Sequence, residues 1–460
     1  MQIVATNDVP KGALRVAITA EKQDETVLLP DGTREIRLGA GEKKSMTRRK
    51  WITLVRRIVT RAKAAKAKAI AVDFDAIRFA SLDLSDKEAA ELFAVNAAMA
   101  NYEYITYKTA PEGGWIFVET IYVTGKVPAS AKAGFDRGLV VGGEVNATRE
   151  LANTPGGDMT PETLAHAAEA AAKGLKISVK VLGVDEMTKL GMGGILGVGR
   201  GSEVPPRFVI MEYWGAGKTS GKKPIVLVGK GVTFDSGGLN LKPSDGIYEM
   251  HLDMSGAAAV IHATVLAAKL EIKKNIIALV PAVENMPSGS SYHPGDLLRT
   301  MSGKTIEVLN TDAEGRVILS DALTYAERYA PRLVVDVATL TGAAMIALGQ
   351  RACAIYSKDD RVLERVAEFG EEGGDYVWPM PLWDEYENDI RGTHGDWANT
   401  GKNRYGGSIT AAMFLYQFAK NYPWVHIDMA PRMTAIDGEE LAKGAAGAPV
   451  RLLWKLLESY

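Results

Sequence analysis

The sequence predicts an α/β protein in two parts, a small N-terminal α/β unit followed by a longer one. Three observations lead there. A chain of 460 residues allows two or three domains. Short apolar runs of strand length alternate with stretches of helical apolar spacing along most of it. A long helical pattern at 130–151 ends abruptly at Asn153-Thr154-Pro155-Gly156-Gly157, and the domain junction belongs near it.

Residues 47–66 pattern as a helix, with Trp51, Leu54, Val55, Ile58 and Val59 at helical spacing. A strand is expected at 69–74, a helix at 86–98 and a strand at 115–118. The division is then an N-terminal domain over 1–132, a linker helix over 133–155 and a domain over 156–460. In this last part strands are expected at 177–182, 207–213, 224–229, 275–281 and 333–337, with helices at 256–270 and 317–329. Near-continuous apolar strands between helices indicate a sheet covered on both faces, with much parallel pairing. Two glycine-rich stretches are decoys. Trp214-Gly215-Ala216-Gly217-Lys218-Thr219 has Glu212 where a phosphate-binding loop needs glycine, and a strand rather than a helix follows. Gly191-Met192-Gly193-Gly194 lacks dinucleotide spacing. Both read as loops.

Composition removes several function classes. The net charge of -2 offers no global attraction to nucleic acid or an anionic membrane. The single cysteine, Cys353, excludes an intrachain disulfide framework and a cysteine-based zinc site, and a cytoplasmic location is expected. The first residues lack the basic start and apolar run of a secretory signal. No apolar stretch has the length to span a bilayer, so no membrane partner is expected. None of the six histidines forms an HExxH pair, so a bound metal would rest mainly on oxygen ligands or an unusual nitrogen.

Two segments carry chemistry. Residues 228–243 begin at the end of an apolar strand and set Lys230, Asp235 and Lys242 among glycines that let backbone approach a ligand. Residues 309–316, Leu-Asn-Thr-Asp-Ala-Glu-Gly-Arg, precede a helix. In extended chain Asp312, Glu314 and Arg316 would point the same way, giving carboxylates that repel unless a cation lies between them. A self-paired salt bridge on an exposed loop is the alternative. Asp253, at the start of an Ala-rich helix, reads alone as a simple N-cap. Together, Asp235, Asp253, Asp312 and Glu314 are enough carboxylate for two divalent ions, which in hydrolases lie roughly 3.5–4 Å apart. A lysine beside such ions would have its pKa lowered, so Lys230 could coordinate as a neutral amine.

The motifs resemble those of the leucyl aminopeptidase family of cytosolic metallo-exopeptidases. Its signature octapeptide Asn-Thr-Asp-Ala-Glu-Gly-Arg-Leu stands here at 310–317 with only Val317 departing. Residues 229–238, 336–342 and 395–400 also match, and the similarity runs from about Val145 to the C-terminus. The resemblance implies a macro-like N-terminal α/β domain and a larger catalytic α/β domain around a mixed sheet covered by helices. It implies two divalent ions, zinc or manganese, held by Lys230, Asp235, Asp253, Asp312 and Glu314. Lys230 and Asp253 would serve one ion, Asp312 the other, while Asp235 and Glu314 bridge. Lys242 would stabilise the developing oxyanion, and Arg316 would hold a bicarbonate acting as general base. Met250, Thr339, Leu340 and Gly342 would lie around the side-chain pocket or beside the substrate. The implied activity releases Leu- or Met-like N-terminal residues from peptides, in a homohexamer.

Two departures matter. Ser255 stands where the family often has glycine, with little effect expected. Pro431-Arg432-Met433 replaces a glycine-led continuation and bears on the pocket wall. A peptidase specialised for dipeptides or cysteinyl-glycine is the closest competing activity. A different class, a phosphate-gripping protein, is suggested by residues 43–68, which hold eleven Lys or Arg and no acid. Only Trp51 is available there for base stacking, so a solvated or subunit-contact face is the better reading, and nucleic acid is not expected as a partner. An inactive scaffold is disfavoured by the intact set of charged residues.

Overall fold

The computed structural model describes all 460 residues and is an α/β protein with a smaller N-terminal and a larger C-terminal unit. The first comprises Met1–Asn146 with Ala435–Gly444, the second Ala147–Thr434 with Ala445–Tyr460.

In the N-terminal unit the strands are β1 (Gln2–Thr6), β2 (Leu14–Thr19), β3 (Glu25–Leu28), β4 (Arg34–Gly39), β5 (Ala69–Asp73) and β6 (Thr120–Thr124). They form one sheet in the order β1-β6-β5-β2-β4-β3, parallel except for β3 against β4. Helix Arg48–Ala64 starts where the Thr47 side chain accepts a bond from Lys50 N, and it buries Trp51, Leu54, Val55, Ile58 and Val59. Helix Asp86–Ala100 opens with a Ser85–Glu88 capping box. The strand expected at 115–118 is absent. The Asn101 side chain brackets Val118, donating to its O and accepting from its N at 2.8 Å each, so ladder pairing begins only at Thr120.

The basic run 43–68 meets acids from elsewhere in this unit. Arg57 and Arg61 lie 3.5 and 3.2 Å from Asp24, and Lys68 lies 3.0 Å from Glu119. Arg56 donates to Glu439 O at 3.2 Å and Thr60 Oγ1 to Glu440 Oε2 at 2.6 Å, which holds the late segment Ala435–Gly444 in place.

The C-terminal unit contributes β7 (Ile177–Leu182), β8 (Arg207–Trp214), β9 (Ile225–Gly229), β10 (Gly231–Asp235), β11 (Asn275–Asn285) and β12 (Leu297–Arg299). It continues with β13 (Thr305–Glu307), β14 (Leu333–Ala338), β15 (Cys353–Tyr356), β16 (Val377–Pro379), β17 (Trp397–Ala398) and β18 (Trp424–Asp428). The main sheet runs β16-β15-β18-β14-β9-β11-β8-β7, with β10 also on β11. Its centre, β18-β14-β9-β11, is parallel, while β8, β7 and β15 add antiparallel pairs. Every residue of β9, β14 and β18 is buried, the signature of strands covered on both faces. Helices Ser255–Lys269 and Glu314–Ala326 supply much of that cover.

Of the glycine-rich decoys, 215–219 is a turn that leads into β9 without a helix. The other is not a loop throughout, since Gly193 and Gly194 open helix Gly193–Gly199. A Cβ on Gly193 would lie 2.1 Å from Arg299 O, so this helix packs too closely for a side chain there. No helix is long and apolar enough to cross a membrane.

Candidate metal centre and active site

The parallel strands β9, β14 and β18 end together, and the carboxyl ends of such strands are where an open α/β sheet places its ligands. Lys230 follows β9 directly and is the corner at which the chain turns into β10, both strands pairing with β11. Lys230, Asp235, Lys242, Met250, Asp253, Asp312, Glu314, Arg316, Thr339, Leu340 and Gly342 all line one recess of about 290 Å³. Thr341, Met345, Ala430 and Met433 complete its walls.

The charged floor is tightly knit. Lys230 Nζ lies 2.8 Å from Asp253 Oδ2 and 2.8 Å from Glu314 Oε1, and donates to Thr339 O at 2.9 Å. Lys242 Nζ lies 2.9 Å from Asp235 Oδ2 and 2.5 Å from Asp312 Oδ1. Asp235, Asp312 and Glu314 each offer an oxygen, all within 4.8 Å of one another. Burial pushes the Asp312 carboxyl up to about 6, with Asp235 and Glu314 adding repulsion. Burial likewise raises Asp253 well above the carboxylate range. Burial alone would pull both lysines down, yet the surrounding carboxylates hold them above the usual ammonium range. Three buried carboxylates and the half-buried Asp312 outnumber the two lysines among them, an oxygen-rich donor set of the kind a divalent cation takes.

The geometry differs from the extended-chain expectation for 312–316. Glu314 is the first residue of helix Glu314–Ala326 and Arg316 lies in its first turn, so backbone alternation does not bring them together. Gly315 lets the start of this helix pack against the Lys230 side chain: a Cβ there would meet Lys230 Cε at 2.5 Å. Asp253 is not a helix cap. It lies in the 3-10 turn Met250–Met254, and its Oδ1 accepts from Thr339 Oγ1 at 2.7 Å. Ser255 donates to Leu252 O at 2.6 Å, so the small hydroxyl is absorbed locally.

Arg316 is buried, and burial draws its guanidinium pKa down to about 10. Nη1 donates to Asn399 O at 2.9 Å, while Nε has no hydrogen-bond partner, an orphaned donor suited to an anion.

Several supporting residues were not singled out individually from the sequence. Asn285 Nδ2 donates to Asp235 Oδ1 at 2.8 Å and to Thr311 O at 2.9 Å. Asn240 and Thr311 exchange bonds, Asn240 N to Thr311 Oγ1 at 2.9 Å and Thr311 N to Asn240 Oδ1 at 2.8 Å, tying the loop of Asp235 and Lys242 to that of Asp312. Asn399 clasps the latter loop, accepting from Leu309 N at 2.8 Å and donating to Asn310 O at 2.6 Å.

Carboxylates and lysines gathered beyond the carboxyl ends of a mixed sheet, beside a methionine-walled recess, make a site of the α/β class that could hold a divalent cation. Residues 146–454 match the cytosol aminopeptidase family, catalytic domain, and residues 22–111 match the N-terminal domain of the same family. The chain belongs to that family of peptide-cleaving hydrolases. It is 47% identical over 338 residues to a probable cytosol aminopeptidase of Azoarcus sp. (strain BH72), covering 74% of this chain and 66% of that protein. To the probable cytosol aminopeptidase of Saccharophagus degradans it is 42% identical over 424 residues, 91% of this chain and 83% of the other. Among solved structures, the bottromycin maturation enzyme BotP in complex with Mn is 31% identical with a TM-score of 0.86, covering 97% of this chain and 99% of that one.

Proposed function

We propose that this chain is a metal-dependent aminopeptidase that releases Leu- or Met-like N-terminal residues from peptides with two divalent ions. The observation that carries the reading is the convergence of Asp235, Asp253, Asp312 and Glu314 with two lysines in one recess whose wall is apolar. Asp235, Asp253, Asp312 and Glu314 would hold the ions, zinc or manganese, and Lys230 would join them on giving up the proton it now shares with Asp253 and Glu314, since only the neutral amine has a lone pair to offer. Manganese is supported by its presence in the similar BotP complex. When bound, such ions supply an activated water and polarise the scissile carbonyl.

The chain's own residues do the rest. Lys242 lines the recess with Nζ beside Asp235 and Asp312, and as an ammonium it would stabilise charge developing on the carbonyl oxygen. Arg316, with Nε unpartnered, is the group to hold bicarbonate. Met250, Thr339, Leu340 and Gly342 orient the first side chain, an apolar fit that separates close analogues by only about 10- to 200-fold. The protein is read as cytoplasmic and as a homohexamer. Light scattering on the purified protein would measure the assembly.

The test is hydrolysis of leucine p-nitroanilide by metal-stripped protein with Mn or Zn restored, beside Glu314→Ala. Activity that returns with metal and is lost in the variant supports the reading. No activity with any metal, across N-terminal residues and dipeptides, sinks it.

A further inference from the structure

Asp428 is fully buried at the end of β18 and lies outside the lysine–carboxylate cluster. Its Oδ1 accepts from Leu340 N at 3.1 Å, Thr341 N at 3.3 Å and Ala430 N at 3.2 Å. Its Oδ2 accepts from Thr341 Oγ1 at 2.6 Å. Leu340, Thr341 and Ala430 all face the recess. Thr341 and Ala430 also each begin a wall. Thr341 caps helix Gly342–Leu348 by accepting from Ala344 N at 3.1 Å, and that helix carries Met345. Ala430 opens the 3-10 turn Ala430–Arg432, which delivers Met433. The two walls are therefore stapled to one carboxylate at their common root.

We propose that Asp428 is a positioning residue that sets the separation of these walls, and thereby the preference of the pocket among apolar N-terminal side chains. This rests on the aminopeptidase reading of the same site. A carboxylate accepting four donors binds each more strongly than a neutral acceptor would. Alanine would leave buried backbone N–H groups unpaired, and the walls would move to resatisfy them. Asparagine keeps Oδ1 and the volume, and its amide can donate to a turned Thr341 hydroxyl, so the staple survives.

The experiment compares kcat and KM for leucine, methionine and alanine p-nitroanilides in the Mn-loaded wild type, Asp428→Asn and Asp428→Ala. Calorimetric affinities for free leucine and alanine are measured alongside. In Asp428→Ala the leucine-over-alanine ratio should fall about 10-fold or more, through KM, because the discrimination rests on wall fit. Asp428→Asn should retain the wild-type ratio. A merely structural role would lower all substrates in proportion. An active Asp428→Ala with an unchanged ratio overturns the proposal, as does an equal loss in Asp428→Asn. If Asp428→Ala does not fold, Thr341→Val decides: it removes the Oδ2 bond and the helix cap, and an unchanged ratio there again overturns it. A wild type inactive on every substrate overturns the aminopeptidase reading and this proposal with it, whereas an active wild type isolates the question of Asp428.

Discussion

The helix Arg48–Ala64 and the floor of the recess are built from the same residue types and behave oppositely. On the helix, Arg61 is 44% exposed beside Asp24, so water competes for both partners and the pair contributes little. In the recess, Lys230, Asp253 and Glu314 are each at most 5% exposed in their side chains, and every charge there depends on its neighbours. A long basic run thus has less functional content than two lysines packed among carboxylates. Burial, not abundance, is the discriminating variable.

The sharpest way to break this comparison is Lys230→Met. It strands Asp253 and Glu314, and metal-free protein should lose about 3–5 kcal/mol in urea unfolding. A loss below about 1 kcal/mol would place Lys230 in the same category as the helix arginines. Asn399→Ala removes the clasp on the Asp312 loop without touching the cluster. Manganese affinity by calorimetry should drop about 10- to 100-fold, as for other outer-shell supports, and an unchanged affinity would show that the loop holds itself.

A third test concerns Asp321, buried under the N-terminus of helix Gly193–Gly199, where its carboxyl accepts from Ile195 N at 3.0 Å and Met301 N at 2.8 Å. Burial outweighs these donors and raises its pKa to about 7. The folded state then holds the proton more tightly than the unfolded chain does. Its contribution is full below about pH 4 and is lost as pH rises towards 7. Asp321→Asn should flatten that part of the melting-temperature profile relative to the wild type, and parallel profiles would refute the assignment. The smallest effect is expected for Arg61→Ala, within about 1 kcal/mol by the same unfolding assay, with little change in heparin retention.

Much of this was legible in the sequence because the central strands are long apolar runs and the charged motifs sit at their ends. The strands at 177–182, 224–229 and 333–337 and the helix at 256–270 appear within a residue or so of expectation. Apolar content alone misplaced the strand at 115–118, because the partner that occupies Val118 is a side chain, Asn101. The alternation argument for Asp312, Glu314 and Arg316 failed because the helix starts three residues before the apolar pattern at Val317 announces it. Asn285 was not picked out, and Asp428 was noted only within a family-like stretch, since a polar residue closing an apolar strand looks the same whether it turns to solvent or bonds inward.

The excursion Ala435–Gly444 has an evolutionary consequence. It leaves the chain two residues after Met433 and belongs to the N-terminal unit, where Arg56 and Thr60 receive Glu439 and Glu440. A truncation beginning at Ala147 would keep the excursion and lose its socket. Exchange of the N-terminal unit between relatives must therefore carry a distant stretch of sequence with it, a demand that a single crossover in the gene cannot meet.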